Sequence, residues 1–228
     1  MNGYAADKPW KLAKAQRIME AGYRLFSERG IEGVTMPEVA EAGGVSRATL
    51  FRYFATKLEL VVAIGTWKWD EYIDGYDALL PQAEREAMTG AERMRLYLDS
   101  FLDLYRNHGD ILRFNYNFNG YLAHEGGAPE QRQSYMSMVD ALGAQFHEIY
   151  GLGVRDGTLR TDLSEASMFS SSFHIMLAAA TRYAVGLVYV SDETDPEAEL
   201  VMLEELLLSR YVREPESLPA TTGEAEHA

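Results

Sequence analysis

The chain of 228 residues contains no cysteine. That excludes a disulfide framework, a thiolate metal site and a cysteine nucleophile, and it suits a reducing compartment. Its five histidines, His108, His124, His147, His174 and His227, are too scattered for metal-ligand spacing. No run approaches the roughly eighteen consecutive apolar residues of a membrane span, and the start, MNGYAADKPWKLAKAQ, lacks the apolar stretch of a signal peptide. A cytoplasmic protein is expected. Alternating β-branched segments, a glycine loop on a strand and a nucleophile elbow around serine are missing as well. The sequence therefore predicts no cofactor, no metal and no enzymatic activity.

Positive charge is scarce and unevenly placed. The formal net charge is -14, yet residues 1–60 carry nine Lys and Arg against seven Asp and Glu, a net of +2, while the remainder carries twelve against twenty-eight, a net of -16. Phosphate binding needs local positive potential, so any nucleic-acid contact belongs to the N-terminal end.

Apolar residues make up 47% of the chain and recur at spacings of three and four, which argues for helices throughout. A first helix is expected over Lys11–Arg29, with Ile18, Ala21, Leu25 and Phe26 on one face and Gly30 at its end. Thr35 with Glu38 makes a capping box for the next, which stops at Gly43-Gly44; Ser46 caps a short third helix, Arg47–Phe54. Thr56 with Glu59 opens a longer one to about Leu80. The polar PQAEREAMTG interrupts the pattern, and Thr89 with Glu92 restarts it as far as Asn107. Further helices are expected over Gly109–Ala123, Pro129–Gly151, Ser164–Val190 and Pro196–Arg213.

Two short helices joined by a glycine-containing turn, the second capped by serine, make a helix-turn-helix pattern, in which the second helix enters a DNA major groove. At about 100° per residue, Leu50 and Phe54 share the side that meets Val39 and Ala40. Ala48, Thr49 and Arg52 then point outward, with Phe51 and Tyr53 at the edges. Arginine forks onto guanine edges and phosphates, and aromatic groups meet thymine methyls. The run RIMEAGYRLFSERGIEGVTMPEVAEAGGVSRATLFRYFATKLELVVAI, Arg17 to Ile64, closely resembles the DNA-binding domain of the tetracycline-repressor (TetR) family. The likeness includes the GVS turn, the TLFRYF recognition helix and the lysine that starts the fourth helix.

The resemblance implies phosphate contacts from Thr35, Ser46, Tyr53 and Lys57, and base-edge approach by Arg47, Thr49, Phe51 and Arg52. Phe51 stands where tyrosine is common and Ala48 where glycine is frequent. It also implies an all-α fold of about nine helices. An N-terminal three-helix DNA-binding domain, residues 1–56, would precede a ligand-binding and dimerisation domain, residues 57–213, and a polar tail, 214–228, expected to be disordered. The function implied is that of a ligand-responsive transcriptional repressor, a homodimer on a palindromic DNA operator released by a small-molecule effector. The alternative reading is a helical protein adaptor without DNA binding.

For the dimer, the last two helices offer stripes: Phe173, Leu177, Ala180, Ala184 and Leu187 in one, and Leu200, Leu203, Leu207 and Tyr211 in the other. The competing reading is that these stripes close the core of one chain. For an apolar or aromatic effector, the candidates are Trp67, Phe114, Phe118, Tyr121, His147, Phe173 and His174, although aromatics at helical spacing are often plain core. Asn115, Asn117 and Asn119 alternate with the aromatics and cannot share one helix face, so at least one amide is expected to point inward.

Overall fold

The computed structural model describes residues 9–125, 129–187 and 195–213, and these are helical almost throughout. Helix α1 (Pro9–Arg29) buries Ile18, Ala21 and Phe26 and ends at Gly30, whose φ of 74° is the left-handed conformation that suits glycine. A short turn buries Ile31 and Val34 before α2 (Met36–Ala42). There the Glu38 carboxylate accepts both the N–H and the hydroxyl of Thr35 at 2.7 Å. Those bonds, with Arg29 at 2.8 Å, hold the Glu38 carboxyl down at about 2. Helix α3 (Arg47–Tyr53) starts at Ser46, whose Oγ accepts from the Thr49 N–H, and turns Leu50 and Phe54 into the core.

Helix α4 (Lys57–Ala78) is capped by Thr56 and runs away from this three-helix unit. Gly22 and Gly65 set its closest approaches. A methyl at Gly22 would lie 2.8 Å from Ile64 of α4, and one at Gly65 would lie 3.0 Å from the Phe118 ring. The interruption after Leu80 is itself a short helix, α5 (Gln82–Ala87), with no buried residue of its own. Arg85 reaches back from it to the carbonyls of Asp77 and Leu80 and so closes the end of α4.

Helices α6 (Gly90–Asn107), α7 (Gly109–Glu125) and α8 (Gln133–Arg155) build the second half with α9 (Glu165–Ser172), α10 (Ala178–Ala184) and α11 (Pro196–Tyr211). The α6–α8 crossing is glycine on glycine: a Cβ on Gly90 would sit 2.1 Å from the Gly153 Cα. The helix expected over Ser164–Val190 is divided. Between α9 and α10 lies one π-helical stretch, Phe173–Leu177, and the helix ends at Ala184 before Gly186 with φ 72°. One turn before the π-helical stretch, the Met168 carbonyl accepts hydroxyls from both Ser172 (2.8 Å) and Tyr211 (3.2 Å). Val190 and the tail 214–228 lie outside the described residues. No described helix is long and apolar enough to cross a membrane.

Candidate nucleic-acid interface and internal cavity

The outer face of α3 carries Arg47, Ala48, Phe51 and Arg52, all exposed, with Phe51 46% accessible. Arg47 forms no ion pair among the described residues; Arg52 also forms none and rests over the Tyr53 ring at 5.7 Å. Thr49 is half-buried and shares its hydroxyl with Ser46 at 2.9 Å. Tyr53 lies partly in the core, and its hydroxyl is buried without a partner, so it cannot touch a phosphate in this conformation. The Lys57 ammonium is drawn to the Glu32 carbonyl (3.5 Å) and over the Tyr121 ring (5.6 Å). Partial burial pushes its pKa down, against the pull of Glu125, Glu32 and Glu38.

On the other side of Tyr121 lies a cavity of about 1100 Å³. Helices α7, α8, α9 and α10 with the π-helical stretch form most of its wall, and the remaining side is the turn Gly30–Gly33 of the helix-turn-helix unit. Trp69, Leu142 and Phe173 separate it from a second space of about 340 Å³ between α4, α6 and α8.

Residues 18–64 match the family model described as bacterial regulatory proteins, tetR family. The transcriptional activator FasR of Mycolicibacterium smegmatis is 25% identical over 126 residues, 55% of either chain. The transcriptional repressor KstR2 of Rhodococcus jostii is 24% identical over 168 residues, 70% of this chain and 74% of that one. The crystal structure of FadR from Bacillus subtilis in complex with stearoyl-CoA superimposes with a TM-score of 0.65 at 18% identity, covering 85% of this chain and 97% of the other. Residues 18–64 therefore form a DNA-binding unit of the TetR type. The match thus spans about half the length of FasR.

Within this fold, the candidate effector residues separate. Tyr121, Phe173 and His174 line the large cavity. Phe114 and Phe118 do not: they are 2% and 0% exposed and fill the junction of α7 with α1 and α4. Trp67 stands edge-on to Tyr23 of α1 at 6.3 Å, while Trp69, two residues on and so across the helix, reaches the cavity. His147 is on the outer surface, its Nδ1 2.9 Å from the Glu165 carboxylate. Phe146 takes the buried side of α8 instead. Of the three alternating asparagines, Asn115 is the inward one, 3% exposed and on the cavity wall. It and the turn Gly30–Gly33 were not among the candidates; the alternation of amides with aromatics is the sequence signal for the first.

The candidate dimer stripes also need correction. Ala180, Leu200, Leu207 and Tyr211 are buried within the chain, at 0%, 0%, 7% and 2% exposure, because their face of the last helices packs on α6 and on each other. Leu177, Ala184 and Leu203 are half-buried, and Leu187 is exposed. The apolar side chains left uncovered on α11 are Met202 and Leu206, at 52% and 58%, with Ile175 at 38% on the neighbouring π-helical stretch.

Proposed function

We propose that this chain is a ligand-responsive transcriptional repressor that binds a palindromic DNA operator as a homodimer. The carrying observation is the outer face of α3: two guanidinium groups without ion pairs and an exposed phenylalanine, on the one part of a strongly acidic chain that is not acidic. Leaving cations unpaired in a chain with a net charge of -14 makes physical sense if phosphates and base edges complete them. Arg47, Phe51 and Arg52 are the base-reading set in this proposal. Ser46 and Thr35 act through the helix N-termini that they cap, and Thr49, whose hydroxyl is shared with Ser46, acts beside the first of them. Tyr53 and Lys57 reach phosphate only after leaving their present contacts.

The effector reading is supported by the position of the cavity, one side of which is the turn that joins α1 to α2. A molecule bound there touches the DNA-binding unit directly. Stearoyl-CoA is the ligand of the FadR complex; here it supports only the idea of a small-molecule effector. The dimer reading is supported by the uncovered Met202, Leu206 and Ile175, since two recognition helices on a two-fold protein match two half-sites.

Selection of binding sites from random genomic fragments tests the proposal. A recovered palindrome whose affinity falls steeply with salt, by about 0.9 in log–log slope per phosphate neutralised, is the expected result. Absence of binding at low salt overturns it in favour of an adaptor.

A further inference from the structure

Resting on the reading of the cavity as the effector site, we propose that Asn115 is its polar anchor and that the effector is an uncharged, largely apolar molecule carrying a carbonyl or hydroxyl group. Asn115 is buried at the middle of α7, yet its amide forms no hydrogen bond among the described residues. Its neighbour Asn117 shows the ordinary alternative, donating to the Arg113 carbonyl at 3.2 Å. A second unmatched group comes from α10, which packs directly on α7: Thr181 is a residue of the cavity wall, and its hydroxyl is buried without a partner. Helical threonines commonly settle on the carbonyl four residues back, as Thr66 does with Val62 at 3.0 Å, but Thr181 does not. Buried groups of this kind carry a desolvation cost until something supplies the missing hydrogen bond.

Charge narrows the class. The Arg29 guanidinium at the cavity edge is held by Glu38 at 2.8 Å and by the Gly33 carbonyl at 2.9 Å, and Glu32 adds a carboxylate on the same turn. Arg182 lines the cavity from an exposed position. A charged group drawn in as far as Asn115 carries a large desolvation cost against an amide that offers only hydrogen bonds, whereas a carbonyl or hydroxyl matches the amide without that cost. Trp69, Leu142, Phe169 and Phe173 supply the apolar wall for the rest of the molecule. The π-helical stretch that contributes Phe173 is a feature often found at functional sites.

Calorimetric titration of the full chain with 2-decanone, 1-decanol and decanoate at pH 8 tests this. The wild type is expected to bind the ketone and the alcohol at least about tenfold more tightly than the carboxylate, the size of one hydrogen bond. Asn115→Leu should weaken ketone and alcohol binding by about that factor and raise the melting temperature of the free protein, because an unmatched amide is replaced by an apolar group. Asn115→Ser, which withdraws the amide without adding volume, should weaken both as well and serves if the leucine variant does not fold. Unchanged ketone and alcohol affinities in both variants, or tighter binding of decanoate by the wild type, overturn the anchor while leaving the cavity as a binding site. Failure of all three probes to bind the wild type overturns the anchor together with the effector reading.

Discussion

Leu206 and Leu207 are consecutive on α11, yet one is 58% exposed and the other 7%. Alanine at each position separates the free face from the core face. A leucine taken fully out of water is worth about 1.5–3 kcal/mol, and truncating a buried one costs about 2–5 kcal/mol because a cavity is left behind. Leu207→Ala should therefore lower the stability of the folded chain by that larger amount. Leu206→Ala should change it by less than about 0.5 kcal/mol within one protomer. If the free face is the dimer contact, the exposed part of Leu206 contributes about 1–2 kcal/mol per copy, and two-fold symmetry doubles it. A total near 2–4 kcal/mol corresponds to a dimer constant about 30- to 900-fold weaker.

Sedimentation equilibrium gives the dimer constant. Urea unfolding at several protein concentrations separates loss of fold from loss of association, since a dimer's apparent stability depends on concentration. The expected pattern is a folded, dissociating Leu206→Ala and a destabilised Leu207→Ala. The reverse pattern, a well-folded monomeric Leu207→Ala beside an unaffected Leu206→Ala, would refute the assignment of faces.

Three further outcomes are expected. Arg52→Ala should cost about 1–3 kcal/mol at one operator position if the guanidinium forks onto a base, and a binding-site library in which affinity drops equally for all sequences would place it on phosphate instead. Burial first, and the charge of Asp99 second, raise the Glu204 carboxyl from its ordinary 4.5 to about 7. A raised acid favours the folded state below 4.5, and that contribution is lost as pH rises through about 7. Melting temperature should accordingly fall between pH 5 and pH 8, and Glu204→Gln should remove the fall; about 1 kcal/mol of relief would appear as about 2–4 °C at pH 8. Tyr121→Leu, which takes the ring away from the Lys57 ammonium, should raise operator affinity in the absence of effector, measured by fluorescence anisotropy; weaker binding would show that the ring supports the DNA-binding conformation.

The N-terminal unit was legible because its signals are local. Caps at Thr35, Ser46 and Thr56, the left-handed Gly30 and Gly44, and the spacing of Leu50 and Phe54 each act within a turn or two of helix. The last helix was not, because it is apolar on two sides. Leu200, Leu207 and Tyr211 compete with Met202 and Leu206, and the charged Glu204, which the pattern would assign to water, is 3% exposed and pairs with Arg95 at 3.4 Å. The contacts with α6, the π-helical stretch and α10 decide which stripe goes inside. The cavity was illegible for a different reason. Aromatic residues are the obvious candidates for a ligand site, but Phe114 and Phe118 fill the space they occupy, whereas a cavity is bounded by residues that leave space unfilled. Sequence carries the volumes of side chains and not the gaps between helices.

That gap also determines how regulation would work under the proposal. The turn Gly30–Gly33 belongs to the DNA-binding unit by sequence and to the cavity by position, and its Glu32 carbonyl holds the Lys57 ammonium that starts α4 over the Tyr121 ring of α7. The other end of the same α7 is tied to the unit too, through the Tyr23 hydroxyl donating to the Asp110 carboxylate at 2.6 Å. A ligand beside Asn115 would thus lie between two attachments of one helix to the DNA-binding unit, so that a small shift of α7 tilts α1 and α4 together. Such a shift releases the operator only to the extent that the ligand binds the shifted form more tightly. A hundredfold preference, about 2.7 kcal/mol, lowers operator affinity by at most the same factor, and the operator must weaken ligand binding equally.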